Sequence, residues 1–301
     1  MVYLELERQL ATFFRAEAAL LVSTGYATNL VVCQTLAGQF SHAVIDEKAH
    51  LSLVDAAQFL NCPILKFKHR DAEDFAQTIT RCGRGARPVV LTDGMFASNG
   101  SVAPLREYLK LVPRDGLLLV DDSHGGGTLG RQGGGAVELE TVSRKRVVQC
   151  VTLSKAFGCY GGTILCSRKL REQIVSRSSM FIGSTPLPLP LAHASTVALK
   201  ILARDHTLRR RLNRNAERVK GALRRAGFAL PDAPGPIVQV HLKNRTRAAR
   251  MERALLAAGI FPSLIQYPGA PANGNFRFAI SSEHTQSQLD RLVSVLKRFI
   301  P

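Results

Sequence analysis

Membrane-length apolar runs, a signal core and paired cysteines are all missing from this 301-residue sequence. No uninterrupted apolar stretch approaches the length of a membrane span, and the first eight residues include acidic side chains. The six cysteines form no CxxC pair, and no set of cysteines and histidines has the spacing of zinc ligands. We therefore expect a cytoplasmic protein with free thiols, no membrane span and no metal site.

Acidic residues are scarce as well, since 23 Asp and Glu stand against 40 Lys and Arg, which gives a net charge of +17. Much of the excess lies in one helix-like basic segment, from Arg204 to Arg225, which also carries an apolar stripe. No aromatic residues are interleaved there and no nucleic-acid motif is present, so a solvated helical face is the simplest interpretation. We expect no nucleic-acid partner, although a basic surface would also suit an anionic substrate such as an acyl-coenzyme A (acyl-CoA) thioester.

Short apolar runs alternate with amphipathic stretches over most of the length. In residues 1–203 this alternation predicts a mostly parallel sheet flanked by helices, with strands near 18–22, 43–45, 64–67, 88–92, 116–121 and 147–153. From residue 204 a long basic helix leads to three short strands and two helices, which predicts a smaller α+β domain over 204–301. The fold class is therefore α/β with a second, α+β domain, and ligands are expected beyond the carboxyl ends of the parallel strands.

Lys155 follows an apolar, strand-like run, Val147–Leu153, and precedes glycines at 158, 161 and 162. Glycines let other groups approach an amine closely. A lysine made nucleophilic by its surroundings most often forms a Schiff base with a carbonyl cofactor or substrate. A solvated lysine at the end of a strand is the competing interpretation.

A second stretch with chemical character is the apolar run 117–120, which ends in Asp121, Asp122, Ser123 and His124. In an open α/β sheet this places charge where ligands bind. The aspartate could hold a heterocyclic nitrogen protonated, and the histidine could hydrogen-bond a phenolate-like oxygen. A pair of metal ligands or a helix cap is the alternative.

Three weaker signals accompany these two stretches. The turn at 23–29 lies between a strand and a helix, so it could present backbone N–H groups to a phosphate, or be an ordinary capped turn. His50 stands at a predicted helix start, where a cap or core role is the alternative. Arg277, with Phe276 and Phe278 on the opposite face of a strand, could clamp a carboxylate with two hydrogen bonds.

A phosphate-binding turn, an aspartate for a pyridinium nitrogen and a lysine about one βα unit later are the parts of a pyridoxal 5'-phosphate (PLP) site. In this order they resemble the α-oxoamine synthase family of fold-type I PLP enzymes, over nearly the whole chain. The resemblance implies a PLP-dependent acyltransferase that joins a small amino acid to an acyl-CoA. It also implies a homodimer whose active site lies at the subunit interface.

Around the cofactor ring, the resemblance implies one role for each of four residues. Lys155 would form the Schiff base, and Asp121 would bind the pyridine nitrogen. His124 would reach the ring oxygen, and His50 would stack on the ring. Lys155 and His50 would also transfer protons near the reacting carbon.

Away from the ring, the resemblance implies roles in binding phosphate and substrate. Gly25, Tyr26 and Thr152 would hold the cofactor phosphate, and Thr185 would reach the phosphate of the neighbouring subunit. Arg277 would bind the substrate carboxylate.

The sequence departs from the family in three places. Ala97 stands where the family often has a serine, and Gln266-Tyr267-Pro268 replaces an Arg-Pro-Pro common in part of the family. Met1 aligns inside the family's usual chain, so we expect a Gly-rich piece near the substrate site to be missing. Two alternatives to acyl transfer therefore stay open: an aminotransferase or carbon–carbon lyase that uses the same lysine, and a non-catalytic partner subunit.

Overall fold

The computed structural model describes residues 1–265 and 274–300. The chain divides into two compact units, one formed by Met1–Phe96 with Val102–Asp205 and the other by Ala97–Ser101 with His206–Pro301. The boundary between residues 203 and 204 stays a prediction of domain organisation. Within the described ranges, no helix combines the length and the apolar character needed to cross a membrane.

The first unit is an alternation of helices and strands, with short 3₁₀ turns at Gln58–Leu60 and Arg144–Arg146. Its elements in chain order are α1 (Val2–Phe14), β1 (Ala18–Val22), α2 (Gly25–Thr35), β2 (His42–Asp46), α3 (Leu51–Ala57), β3 (Ile64–Phe67), α4 (Ala72–Arg81), β4 (Pro88–Asp93), α5 (Leu105–Leu111), β5 (Leu117–Asp121), α6 (Ala136–Leu139), β6 (Val147–Thr152), β7 (Gly162–Cys166), α7 (Arg168–Arg177), α8 (Ser179–Ile182) and α9 (Leu189–Arg204).

These strands form a seven-stranded sheet in the order β1-β7-β6-β5-β4-β2-β3. Strands β3, β2, β4, β5 and β6 pair in parallel, whereas β7 runs antiparallel to both of its neighbours. The predicted mostly parallel sheet is confirmed. Strand β7 was not predicted from the sequence, because it starts at a glycine and its apolar run is only Ile164–Cys166.

The sheet is buried on both faces by helices, which is why its central strands read as continuous apolar runs. On one face, α2 and α3 contribute Val31, Val32 and Leu53 to a core shared with the strands. On the other face, α1 contributes Leu6 and Leu10. Helix α9 packs on this same face, against α1. The two helical layers leave the carboxyl edge of the sheet as the place where polar groups collect.

Four strands end on polar side chains at that carboxyl edge. Asp46 ends β2, Asp93 ends β4, Asp121 ends β5 and Thr152 ends β6. Asp93 and Asp121 are direct partners in the register of β4 and β5. Parallel strands bring their carboxyl ends to one edge, so residues far apart in sequence meet there.

The second unit contains α10 (His206–Arg225), β8 (Ile237–Val240), α11 (Arg245–Ala257), β9 (Leu264–Ile265), β10 (Asn275–Ala279) and α12 (Gln286–Lys297). Its three strands form an antiparallel sheet in the order β8-β10-β9. Phe276 and Phe278 are buried in the core of this unit, and Arg277 between them is half-buried. Strand β9 covers only Leu264 and Ile265; Pro262, just before it, has no N–H to donate to a ladder.

The basic segment forms α10, and the interpretation of its cations as one solvated face is wrong for two of them. Arg209 and Lys220 are 5% and 2% exposed. The Nζ of Lys220 donates to the carbonyl oxygens of Ala233, at 2.5 Å, and of Gly235. Burial lowers the pKa of the Lys220 ammonium. Part of the positive charge is therefore structural.

Candidate active site

A cavity of about 260 Å³ opens at the carboxyl edge of the large sheet. Seven of the nine residues predicted to form the active site line it: Gly25, Tyr26, His50, Asp121, His124, Thr152 and Lys155. They come from α2, from the start of α3, and from the ends of β5 and β6 with the loops that follow. The fold thus brings residues from position 25 to position 155 of the sequence together in one cavity.

Asp121 is 5% exposed, and its carboxylate is held by three donors. Asn29 Nδ2 lies 2.6 Å from Oδ2, and Ser52 Oγ lies 3.3 Å from the same oxygen. The backbone N–H of Ser123 donates to Oδ1 at 3.1 Å. Because the Asn29 amide and the Ser123 N–H both donate to it, the carboxylate is fixed in its orientation at the wall of the cavity.

His50 precedes α3 and caps it. Its Nδ1 accepts the backbone N–H of Ser52 at 3.2 Å, and its own backbone N–H donates to Asp93 Oδ2 at 2.8 Å. An Nδ1 that accepts a hydrogen bond carries no proton, which assigns the neutral ring proton to Nε2. The ring of Tyr26 meets the His50 ring edge-on at 6.2 Å between centroids.

Helix α2 begins at the cavity, with Thr24 as its cap. The first-turn N–H groups of a helix have no partner within the helix and favour an anion. A Cβ on Gly25 would lie 2.6 Å from the Cβ of Thr152, closer than real Cβ contacts come, so glycine is required at this close approach. The hydroxyls of Thr152 and Ser154 lie 2.8 Å apart beside it.

Lys155 lies in the loop that joins β6 to β7. Backbone hydrogen bonds of 2.9 Å from Leu153 to Gly161 and from Cys159 to Leu153 close this loop into a compact turn. Lys155 belongs to the cavity wall, and its positive charge lowers the pKa of Asp93. The glycines after Lys155 therefore serve the turn that returns the chain to β7.

Five further residues line the cavity that were not among those predicted: Thr24, Ser52, Asp93, Ser123 and Ser154. Asp93 is 4% exposed; burial raises its pKa well above the usual range, and the charges of Asp121 and Asp46 add to this. Its position after the apolar strand β4 repeats the pattern that identified Asp121, so the same rule could have found it. Ser52 carried no such signal, because it is the second residue of a helix, where a serine is ordinary.

Asp122 follows Asp121 but is not part of the cavity wall. Its Oδ2 accepts the backbone N–H of Ala136 and the Nε2 of Gln149, each at 2.7 Å. Complete burial raises the pKa of Asp122 to about 7, against the opposing effect of these two donors. Asp122 thereby ties the loop that carries His124 to strand β6.

Two predicted site residues are not in this cavity wall. Thr185 is exposed in the segment between α8 and α9. Arg277 belongs to the second unit, where its Nη1 donates to the carbonyl oxygen of Ala97 at 3.2 Å. Residues 266–268, which carry one of the departures from the family, lie outside the described residues.

The chemical groups that line the cavity fit PLP. An amine from Lys155 suits its carbonyl, and a fixed carboxylate from Asp121 suits its ring nitrogen. The helix start at Gly25, which is open to close approach, and the hydroxyl of Thr152 suit its phosphate. Together with the seven-stranded sheet, these groups define the class as a fold-type I PLP-dependent enzyme.

Comparison with known proteins agrees with this class. The model of the family aminotransferase class I and II matches residues 1–296. The 8-amino-7-oxononanoate synthase of Thioalkalivibrio sulfidiphilus (strain HL-EbGR7) is 34% identical over 297 residues, covering 98% of this chain and 76% of that protein. The serine palmitoyltransferase of Caulobacter vibrioides (strain NA1000 / CB15N) is 34% identical over 304 residues, covering 99% and 74%. A solved structure of SPT with the PLP internal aldimine superposes with a TM-score of 0.92 at 28% identity, covering 99% of this chain and 76% of that one.

The chain belongs to the aminotransferase class I and II family. Within it, the chain is a PLP-dependent transferase of the α-oxoamine synthase type. The resemblance inferred from the sequence motifs is confirmed.

Proposed function

We propose that the protein condenses a small amino acid with an acyl-CoA to give an α-amino ketone, in a reaction like that of 8-amino-7-oxononanoate synthase. The observation that supports this is the single cavity shared by Lys155, Asp121, His50 and His124. The similarity over 98% of the chain to a protein of that name supports the reaction type.

The proposed roles divide the chemistry among side chains at the cavity. When bound, PLP supplies an electron sink for the pair left at the α-carbon of the amino acid. Asp121 would hold a proton at the ring nitrogen, and His124 would donate to the ring oxygen. His50 would stack on the ring. Asn29 keeps the Asp121 carboxylate turned toward the cavity, since its amide donates to Oδ2 at 2.6 Å.

Lys155 has two tasks in this proposal. Its Nζ would hold the cofactor in the resting enzyme, and during turnover it would take up the proton that leaves the α-carbon. A carbon–carbon bond then forms between the α-carbon and the thioester carbonyl carbon, while the carbon–sulfur bond breaks and coenzyme A leaves as the thiol. In most of the family the substrate carboxylate leaves as CO2. His50 is the second candidate for proton transfer.

Substrate binding and assembly extend the proposal to residues outside the cavity wall. Arg277 is proposed to bind the substrate carboxylate, for which its planar guanidinium is suited. Thr185, on an exposed segment of the first unit, is proposed to reach the cofactor phosphate of a second copy in a homodimer. Sedimentation of wild type against Thr185→Ala, with PLP affinity measured on the same samples, tests both assignments.

The decisive experiment combines a spectrum with a product assay. Purified protein with added PLP should develop the visible absorbance of lysine-bound cofactor, and Lys155→Ala should not. Glycine, alanine and serine are then each incubated with a series of acyl-CoAs, and α-amino ketones are sought by mass spectrometry. Keto acids in their place would favour an aminotransferase, and a protein without cofactor absorbance would be a non-catalytic partner.

A further inference from the structure

A continuous hydrogen-bonded path joins His50 to Asp121 through one buried serine. Ser52 Oγ lies 2.8 Å from His50 Nδ1 and 3.3 Å from Asp121 Oδ2. It also accepts a hydrogen bond from Asn29 Nδ2 at 2.9 Å. Ser52 is 1% exposed and Asn29 is fully buried, so water does not compete for these contacts.

The path contains one proton for two acceptors. A serine hydroxyl donates a single hydrogen bond. With His50 neutral, the hydroxyl can donate either to His50 Nδ1, which also accepts the Ser52 backbone N–H, or to the Asp121 carboxylate, and the shorter distance favours His50. Asp121 Oδ2 then keeps only the Asn29 amide as a full-strength donor.

Protonation of His50 reverses the path. The new Nδ1–H donates to Ser52 Oγ, so the hydroxyl is released to donate to Asp121, while Nδ1 stops accepting the Ser52 backbone N–H. Ser52 Oγ can accept from both His50 and Asn29, because it has two lone pairs. The side chains of His50, Ser52, Asn29 and Asp121 are then all joined by hydrogen bonds, and the bonding of Asp121 has been changed by a proton placed on His50.

We propose that Ser52 is a positioning residue that transmits the proton state of His50 to Asp121. The inference rests on the proposed function only in assigning both ends of the path to the cofactor ring. The consequence for the enzyme is that a change in the protonation of His50 also changes the hydrogen bonds of Asp121.

His50 is also influenced through space by charged and titratable groups around it. These neighbours come from the surrounding elements and from its own helix, and they are Tyr26, Asp93, Asp121, His124, Lys155 and Asp55. Their fields act whether or not residue 52 has a hydroxyl. A test must therefore separate the bonded path from the Coulombic effect of Asp121 itself.

The test is a double-mutant cycle on the titration of His50. The full chain is labelled with ring-¹⁵N histidine, with and without added PLP, and the His50 signals are assigned with His50→Gln. The shift in the His50 titration midpoint caused by Asp121→Asn is measured with Ser52 present and with Ser52→Ala. We expect the shift with alanine at position 52 to be half or less of the shift with serine.

The matched control is Ser123→Ala. Ser123 contacts Asp121 through its backbone N–H, so removing its hydroxyl should leave the full shift caused by Asp121→Asn. The proposal would be overturned if Asp121→Asn shifted the His50 titration equally in the wild-type, Ser52→Ala and Ser123→Ala proteins. The coupling between His50 and Asp121 would then be Coulombic only.

A second variant covers the case in which Ser52→Ala does not fold. Ser52→Cys keeps the shape with a much weaker donor, so it should also halve the shift, and an undiminished shift there contradicts the relay. The titration without PLP does not depend on turnover. Failure of the product assay with an intact relay would therefore reject the proposed function and leave this inference standing.

Discussion

Asn29 donates from Nδ2 to Asp121 Oδ2 at 2.6 Å, a contact that joins the middle of α2 to the end of β5 across 92 positions of the sequence. Both side chains are buried, and the same Asn29 amide reaches Ser52. A hydrogen bond to a charged group in a buried setting is among the stronger polar interactions in a protein. The carboxylate therefore depends on a helix residue that never reaches the cavity wall.

Asn29→Ala should weaken PLP binding about tenfold, because a charge-assisted hydrogen bond of this kind contributes roughly 1.5–3 kcal/mol and part of the loss falls on cofactor affinity. Equilibrium titration of the apoprotein with PLP measures the effect. Gln34→Ala is the matched control, since Gln34 lies on the same helix and contacts Ser178 and Ser179 instead. Equal affinity of the Asn29 variant and the control would contradict the role given to this contact.

Gly25→Ala should reduce PLP affinity by at least tenfold. The added methyl would lie 2.6 Å from Thr152 Cβ and 2.7 Å from its Oγ1, so either the helix start or the end of β6 must move. Both are proposed phosphate contacts.

Gly221→Ala is the control for Gly25→Ala. Gly221 lies within α10, where alanine adds up to about 1 kcal/mol of helix stability and leaves PLP binding unchanged. Normal PLP affinity in the Gly25 variant would show that the phosphate binds elsewhere.

The fold and most of the cavity wall could be predicted because their signals are local. Parallel strands covered on both faces are apolar throughout, and Asp121 and Lys155 follow such runs directly. Asn29 and Ser52 gave no signal, because a polar residue within a helix is ordinary until tertiary packing brings it to a carboxylate. Lys220 was also misinterpreted, although it lies beside Val219 and one turn after Ala216, on the apolar stripe of α10.

Asp122 predicts a specific pH dependence of stability. Its pKa in the folded protein is raised from 3.8 to about 7 by burial, so the folded state binds the proton more tightly than the unfolded state does. Its contribution to stability is complete below pH 4 and is lost as the pH rises to about 7. Asp122→Asn should remove this loss, on the order of 1–4 kcal/mol.

The measurement for Asp122 is the urea midpoint of wild type and Asp122→Asn at pH 5, 6, 7 and 8. The difference between the two proteins should shift in favour of the variant between pH 5 and 7 and then stay constant. Asp290→Asn provides the comparison, because Asp290 is exposed and pairs with Arg218 at the surface. A difference that does not change with pH would mean that Asp122 does not titrate in this range.

From the buried position of Lys220, we predict that part of the positive charge of α10 stabilises the second unit. Its ammonium bonds the Ala233 and Gly235 carbonyl oxygens, which belong to the segment that leads into β8. Lys220→Met keeps most of the apolar stem but leaves those two carbonyl groups without their donor. Because unpaired buried acceptors cost about 1–3 kcal/mol, the variant should lose that much stability in urea unfolding.

Arg214→Met, on the exposed face of the same helix, removes an equal charge and should change stability by less than about 0.5 kcal/mol. If both variants lose the same amount, charge alone is responsible, and the buried hydrogen bonds of Lys220 contribute nothing further.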